Sequence, residues 1–347
     1  MIGVFLMAVT VKDVAKAAGV STATVSRVIN NNSTISIDTY ERVKKVMKEM
    51  NYFPNNIARN FASQHTYNIT LIFDMDNLNA FENPFFYQIQ YGIEKVICSR
   101  GYNMIIANEK TMVNRENALN RIIFEKRSDG IIMPSFLLKK SIVKRMEEQK
   151  FPFVVIGEPD SSFNVNWVDI NNKMAGYIAT EHLIKNGYKK IAFISGNMSD
   201  KFNQKRFEGY VKAMEKFNID YSSEMILEGV SGKDEGYKAM SKLINESSKL
   251  DSVIFTNNLS AFGAIKAIKE KGYKIPEEIG LVSFDSFPVA ELSEPNMTTV
   301  DIDVFELGIQ VATMLLREIE LPSESKQNSL LSVKLISRGS AERNIRY

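Results

Sequence analysis

The sequence predicts a small all-α head of helix-turn-helix type joined to a larger α/β body made of two doubly wound, parallel-sheet lobes. Three observations carry this. The first fifty or so residues break into three short amphipathic segments with their own start and stop signals. From Tyr67 onward, continuous apolar strands alternate with helix-length stretches, as they do in parallel sheets covered on both faces. The charge divides between the two parts. The net charge is +2, yet residues 1–66 hold eight Lys and Arg against four Asp and Glu, so a basic head precedes a slightly acidic body.

In the head, Thr10-Val11-Lys12-Asp13 fits a capping box, with the Asp13 carboxylate reaching back to the Thr10 amide. The helix it opens carries Val14, Ala15 and Ala18 on one face and stops at Gly19, where positive φ costs little. Ser21 caps a second helix from Thr22 to about Ile29, with Val25, Val28 and Ile29 inward, and Asn30-Asn31-Asn32-Ser33 breaks it. Ser36 caps a third helix bearing Val43, Val46, Met47 and Met50 and ending near Asn51. Two short helices about a Gly-containing turn, closed by a third, form the helix-turn-helix arrangement, whose second helix enters a DNA major groove N-terminus first. Thr22, Ala23, Thr24, Ser26 and Arg27 then face the DNA. A bare three-helix cap fits less well, because spacing, turn chemistry and charge agree.

Pro54 ends the head, and the segment to Ser63 holds about two helical turns, too short to be stable alone in water. Read by itself it is a linker; against a duplex minor groove it would have a surface to fold on. The expected divisions are a head over residues 8–53, a hinge over 54–66 and a body over 67–347.

In the body, strands are expected at Ile69–Phe73, Met104–Ala107, Gly130–Met133, Phe153–Ile156, Ile191–Ile194, Ser252–Phe255 and Gly280–Phe284, with a helix through Tyr91–Val96 after the first. These are too many for one tidy sheet. Ligands in such folds bind at the strands' carboxyl ends, here in the cleft between lobes.

Other classes fare badly. The two histidines, His65 and His182, lie in the hinge tail and in an amphipathic helix, so neither a His-based general base nor a zinc cluster assembles. No Gly-rich phosphate loop is present, and the chain is expected to be no enzyme and to need no cofactor. Cys98 is the single cysteine and cannot form an internal disulfide. The apolar start lacks the basic region and cleavage site of a signal peptide, and Met7 is as good an initiator as Met1. No run is long enough to span a membrane, so a cytoplasmic protein is expected.

Val11-Lys12-Asp13-Val14-Ala15-Lys16-Ala17-Ala18-Gly19-Val20-Ser21, then Thr24-Val25-Ser26-Arg27-Val28-Ile29-Asn30, strongly resembles the head of LacI/GalR-family regulators. Asn51-Tyr52-Phe53-Pro54-Asn55 with Ala58-Arg59 looks like the start of that family's hinge. The resemblance runs on through Asn83-Pro84-Phe85-Phe86, Ala179-Thr180-Glu181-His182-Leu183, Arg206-Phe207-Glu208-Gly209-Tyr210, Ser283-Phe284-Asp285 and Thr298-Thr299-Val300. Ile156-Gly157-Glu158-Pro159 and Trp167-Val168-Asp169 are similar to the maltose-type regulators of Gram-positive bacteria within it.

The resemblance implies lobes of periplasmic-binding-protein type and a homodimer that grips a pseudo-palindromic double-stranded operator, most often as a repressor. It also implies a small-molecule effector, a mono- or oligosaccharide, that shifts the lobe cleft and so hinge folding. By position it assigns base or backbone contacts to Thr22, Ala23, Arg27, Asn30, Asn55 and Arg59. Phe61 stands where the family usually has a Leu wedge. In the cleft it implies ligand contacts at Arg206, Asn257 and Asp285, with Phe85 or Phe86 as an apolar wall. Arg offers a donor fork, and Asp beside Asn suits vicinal hydroxyls. The sequence departs from the family at Asn257-Asn258, where Asn-Asp is usual, and at Gly229-Val230-Ser231-Gly232, where some sugar-binding members carry an aromatic platform. A sugar-binding receptor without DNA function is the alternative; the basic head and the missing signal peptide argue against it.

Overall fold

A computed structural model of the chain describes residues 9–29, 34–53, 65–73, 84–113, 116–246 and 250–343. Asn30, Asn55, Arg59, Phe61 and nearly all of the expected hinge lie outside the described residues. The chain separates into two compact units, Met1–His65 and Thr66–Tyr347.

The first unit holds α1 (Val11–Ala18), α2 (Thr22–Ile29) and α3 (Ile37–Glu49). Its local signals act as their chemistry dictates. Asp13 N donates to Thr10 Oγ1 while Thr10 N donates to Asp13 Oδ2 at 2.9 Å, the full capping box. Gly19 takes φ 64°, and the chain turns there into α2, where Ser21 Oγ accepts from Thr24 N at 3.1 Å. Ser36 Oγ caps α3 by accepting from Thr39 N. Val14, Ala15, Ala18, Val25, Val28, Val43 and Met47 form a sealed core, with Ile29, Val46 and Met50 at its edge.

The second unit begins with β1 (Asn68–Phe73), α4 (Phe85–Ser99) and β2 (Asn103–Asn108). A small hairpin of β3 (Met112–Val113) and β4 (Glu116–Asn117) follows, then α5 (Ala118–Phe124), β5 (Gly130–Pro134), α6 (Lys140–Glu148), β6 (Phe153–Ile156) and β7 (Trp167–Ile170). The chain passes to a second lobe through α7 (Asn172–Lys185), β8 (Ile191–Ile194), α8 (Lys201–Lys216), β9 (Ile226–Leu227), α9 (Lys233–Glu246), β10 (Ser252–Phe255), α10 (Asn258–Glu270), β11 (Gly280–Phe284), α11 (Pro288–Leu292) and β12 (Thr298–Asp301). It returns through α12 (Val304–Glu320) and β13 (Asn328–Leu331), and crosses once more to β14 (Lys334–Ile336).

Two six-stranded sheets result, ordered β13-β7-β6-β5-β1-β2 and β14-β12-β11-β10-β8-β9; only β14 runs antiparallel to its neighbour. Apolar clusters lie on both faces of each sheet, so the strands read as unbroken apolar runs. Three short crossings link the lobes, between β7 and α7, β12 and α12, and β13 and β14. Every strand expected from the sequence is present. β7, β9, β12, β13 and β14 complete the sheets.

Three helix pairs share one device, with a glycine of each helix lying against the main chain of the other. They are Gly92 and Gly308 (α4 with α12), Gly176 and Gly209 (α7 with α8), and Gly236 and Gly263 (α9 with α10). A β-carbon on any of them would run into the partner's backbone, for Gly176 the carbonyl of Arg206 and for Gly209 that of Lys173. The entropic cost of glycine inside a helix is accepted because nothing larger lets these helices approach so closely. Among the described residues no helix is long and apolar enough to cross a membrane.

Candidate DNA-reading face and effector cleft

α2 is amphipathic in a way that sets its outer face. Val25 and Val28 are buried, whereas Thr22, Ala23, Ser26 and Arg27 are exposed. Thr24 is half-buried, its hydroxyl held 2.9 Å from Ser21 Oγ in the cap. Of the five residues expected to read DNA, four therefore present methyl, hydroxyl and guanidinium groups to solvent, and Thr24 serves the helix start as well.

In the body, Arg206, Asn257 and Asp285 lie at the carboxyl ends of the second lobe's strands, whereas Phe85 and Phe86 lie in the first lobe. Arg206 projects from α8 and is almost sealed, at 4% exposed. Its Nε donates to Asn172 Oδ1 at 3.0 Å and its Nη1 to the Thr256 carbonyl at 2.6 Å, while among the described residues its Nη2 makes no hydrogen bond. The guanidinium stacks on Phe284, 4.1 Å from the ring centroid, and lies 5.4 Å from that of Phe202. Burial lowers its pKa, opposed by the charges of Asp285 and Asp169.

Asp285 follows β11 directly, with a left-handed backbone at φ 71° and its amide donating to Val300 O at 3.0 Å. Aspartate tolerates that region better than most residues, but the conformation still carries strain. The carboxyl is 5% exposed and its Oδ1 has no partner. Burial pushes its pKa up to about 6, against the pull of Arg206 and with help from Asp301.

Arg206 is fixed from behind by a chain of amide and carboxylate groups that spans the first crossing. Asp169, on β7 in the first lobe, accepts from Glu158 N at 2.9 Å and Ile170 N at 2.8 Å, and from Asn172 Nδ2 at 3.2 Å. Burial raises its pKa despite those bonds. Asn172 opens α7 and passes the restraint to Arg206. Glu158 meanwhile extends its side chain to Lys201 at 3.8 Å and Lys205 at 3.9 Å on α8, so these ion pairs join the lobes.

Asn257 caps α10, its Oδ1 accepting from Ser260 N at 2.9 Å, which leaves the amide nitrogen as its available donor. Its neighbour Asn258 is 1% exposed with neither amide atom hydrogen-bonded, and Asn203 Oδ1 is buried and likewise unpaired. Unpaired buried polar groups cost on the order of 1–3 kcal/mol each, and Asn258, like Asp285, follows the carboxyl end of a second-lobe strand. Phe86 packs into the first lobe, edge-on to Phe73 at 4.8 Å, and Phe85 lies half-buried on that core. Reading the sequence alone missed Asp169, Asn172, Thr256 and Asn203, because their roles depend on strands meeting in space. The Asn257-Asn258 pair was visible as a departure, but not as an unsatisfied amide. Among the described residues no group of three His, Cys, Asp or Glu side chains is placed to hold a metal ion.

Comparison with known proteins matches residues 10–55 to the bacterial regulatory proteins of the lacI family, and residues 68–339 to the periplasmic binding proteins and sugar binding domain of the LacI family. The chain is 36% identical over 337 residues to the HTH-type transcriptional regulator MalR of Streptococcus pneumoniae serotype 4, covering 96% of this chain and all of that one. It superposes on the transcriptional regulator CelR–cellobiose complex with a TM-score of 0.73 at 28% identity, covering 96% of this chain and 99% of that one. On the lac repressor dimer bound to operator and the anti-inducer ONPF the TM-score is 0.81 at 25% identity, with the same two coverages. A capped helix-turn-helix followed by two crossed α/β lobes, matched end to end by these proteins, places the chain in the LacI family of bacterial transcriptional regulators.

Proposed function

We propose that the protein is an operator-binding repressor, acting as a homodimer in the cytoplasm, whose hold on DNA is set by a neutral saccharide between the lobes. It works through binding equilibria and catalyses no reaction. Thr22, Ala23, Ser26 and Arg27 read bases or grip phosphates, with Thr24 supporting the helix start; Asn30, Asn55 and Arg59 add contacts, and Phe61 wedges the minor groove. Residues 8–53 form the head, 54–66 the hinge and 67–347 the effector-binding and dimerising body. Arg206, Asn257 and Asp285 hold the effector, with Phe85 or Phe86 as its apolar wall.

The observation that carries the effector reading is the Arg206–Asp285 pair. Among the described residues the guanidinium Nη2 makes no hydrogen bond and Asp285 Oδ1 is buried and unpaired, while the charge of each residue acts on the other. A donor beside an acceptor matches vicinal hydroxyls, each of which donates and accepts. The local charge argues against an anionic ligand, because two buried acids, Asp285 and Asp169, act on the single Arg206. The crossings supply the coupling: an effector that binds one lobe arrangement more tightly than the other shifts the population that folds the hinge on DNA.

Thermal unfolding of the full chain with maltose, cellobiose and ribose, alongside a purine base, tests this. One saccharide at about 100 times its Kd should stabilise the protein by about 2.7 kcal/mol. A shift with the purine and none with any sugar contradicts it. On the DNA side, Arg27→Ala should weaken specific binding by about 10–100-fold, the usual worth of a good base contact, while saccharide binding stays at wild-type strength. Calorimetric titration and fluorescence anisotropy read the two separately, and loss of both together removes Arg27 from the reading face.

A further inference from the structure

We propose that Phe202 is the ring platform of the effector site, the residue on which the apolar face of a saccharide ring stacks while its hydroxyl edge meets Arg206 and Asp285. This rests on the effector reading above and adds a specificity-determining residue to it.

Phe202 occupies the first turn of α8, four residues before Arg206, so the two side chains share one face of the helix. Despite its apolar ring it is 41% exposed, whereas Phe193, Phe255 and Phe284 of the same lobe are fully buried. Its ring and that of Phe284 flank the Arg206 guanidinium at 5.4 and 4.1 Å. Phe284 is the closed wall of that sandwich and Phe202 the open one. A ligand bonding to Arg206 Nη2 therefore has an aromatic surface beside it that costs nothing further to desolvate on its inner side.

The flanking residues fix where this turn faces. Lys201 and Lys205, on either side of Phe202, both reach Glu158 of the first lobe. The first turn of α8 thus looks across the cleft, and Phe202 sits where the two lobes approach one another. On the other side of the β8 end, the chain at Gly229 and Val230 is bonded to Gly196 and Ser195, and a β-carbon at Gly229 would meet nothing within 4 Å. The stretch 226–232 holds no aromatic residue. The aromatic surface at this end of the sheet comes from α8.

The chemistry selects the ligand class. A pyranose or furanose presents a face of C–H groups and an edge of hydroxyls, which fits an aromatic plane beside a donor and an acceptor. The flanking lysines are tied up with Glu158, and Lys205 with Glu208 as well, so they leave little positive field for an anionic group.

The test uses the full-length protein and whichever of maltose or cellobiose raises the wild-type unfolding temperature. Phe202→Ala should weaken that sugar by about tenfold, the scale of an aromatic contact, with no change in unfolding temperature in the sugar's absence. Phe202→Tyr should restore wild-type affinity to within about threefold, since it keeps the ring. Trp167 is the only native tryptophan, so Phe202→Trp, measured against wild type, reports an indole at this position, and its emission should shift on saturation. If wild type binds the sugar and Phe202→Ala binds equally well, with the indole emission unmoved, the platform assignment is overturned and the cleft reading stands. If wild type binds neither of these sugars nor ribose, both fall together.

Discussion

Gly176→Ala should lower the unfolding temperature by several degrees and loosen the effector site in the same stroke. The new methyl would overlap the carbonyl of Arg206, a main-chain atom that cannot rotate away, so α7 and α8 must separate. Overpacking of this kind costs roughly 1–3 kcal/mol. For a body of this size each kcal/mol is about 2–4 °C. The displaced helix carries Arg206, whose Nε is bonded to Asn172 at the start of the opposing helix. Sugar affinity should therefore fall with stability. Gly280→Ala makes a matched control, because it drives a methyl into the ring of Tyr188 at the amino end of β11, away from Arg206. It should cost similar stability at little cost in affinity. Differential scanning calorimetry and saccharide titration on both variants separate the two effects; equal affinity loss in both would show that Gly176 acts only through global stability.

Asp285→Asn should produce the largest change in effector binding, together with a distinctive loss of pH dependence. The folded-state pKa of about 6 stands above the usual 3.8, so the folded protein holds this proton more tightly than the unfolded chain. Stability contributed by the protonated group is present below pH 4, is lost as pH rises towards 6, and at pH 7 the ionised carboxylate costs about 3 kcal/mol. Effector binding runs the other way, because only the carboxylate accepts from two hydroxyls. Affinity of the wild type should fall as the pH drops through about 6, approaching tenfold per unit, while ligand-free stability from this group rises. Asp285→Asn should bind sugar about 100-fold more weakly at pH 7, on the scale of lost charged hydrogen bonds, and lose both pH slopes. Titrations at pH 5 to 8 decide the matter. A wild-type affinity that is flat across that range contradicts a role for the ionised carboxylate.

Much of this architecture was legible in the sequence, for physical reasons that differ by element. The head could be read residue by residue, because Thr10, Asp13, Gly19, Ser21 and Ser36 act on neighbours three or four positions away. The buried strands could be read because both faces are covered, leaving runs such as Ile191–Ile194 with no polar residue. β13 and β14 could not: they are short, partly exposed edge strands whose partners, β7 and β12, lie far away in sequence. The glycine pairs escaped for the same reason, since Gly92 and Gly308 are more than two hundred residues apart and each looks like an isolated weak point in a helix. In the cleft, Arg206, Asn257 and Asp285 are proposed from resemblance, but what surrounds them could not be read. Asp169 reads as a strand residue and Asn172 as a helix start until the first crossing sets them behind Arg206. Phe202 reads as one more apolar position until its ring is seen exposed beside the guanidinium.

The proposed repressor reads a specific duplex with its basic head under control of the body. Selection of the full-length protein on random-sequence double-stranded DNA, followed by anisotropy titration of the enriched sequence across a range of salt, tests it most directly. The predicted result is an inverted repeat, as two symmetry-related α2 helices require, bound at least about a thousandfold more tightly than unrelated duplex at physiological salt, with an affinity that shifts when the stabilising saccharide is added. Enrichment of no sequence, or binding that is equally tight on any duplex and vanishes with salt, would contradict it.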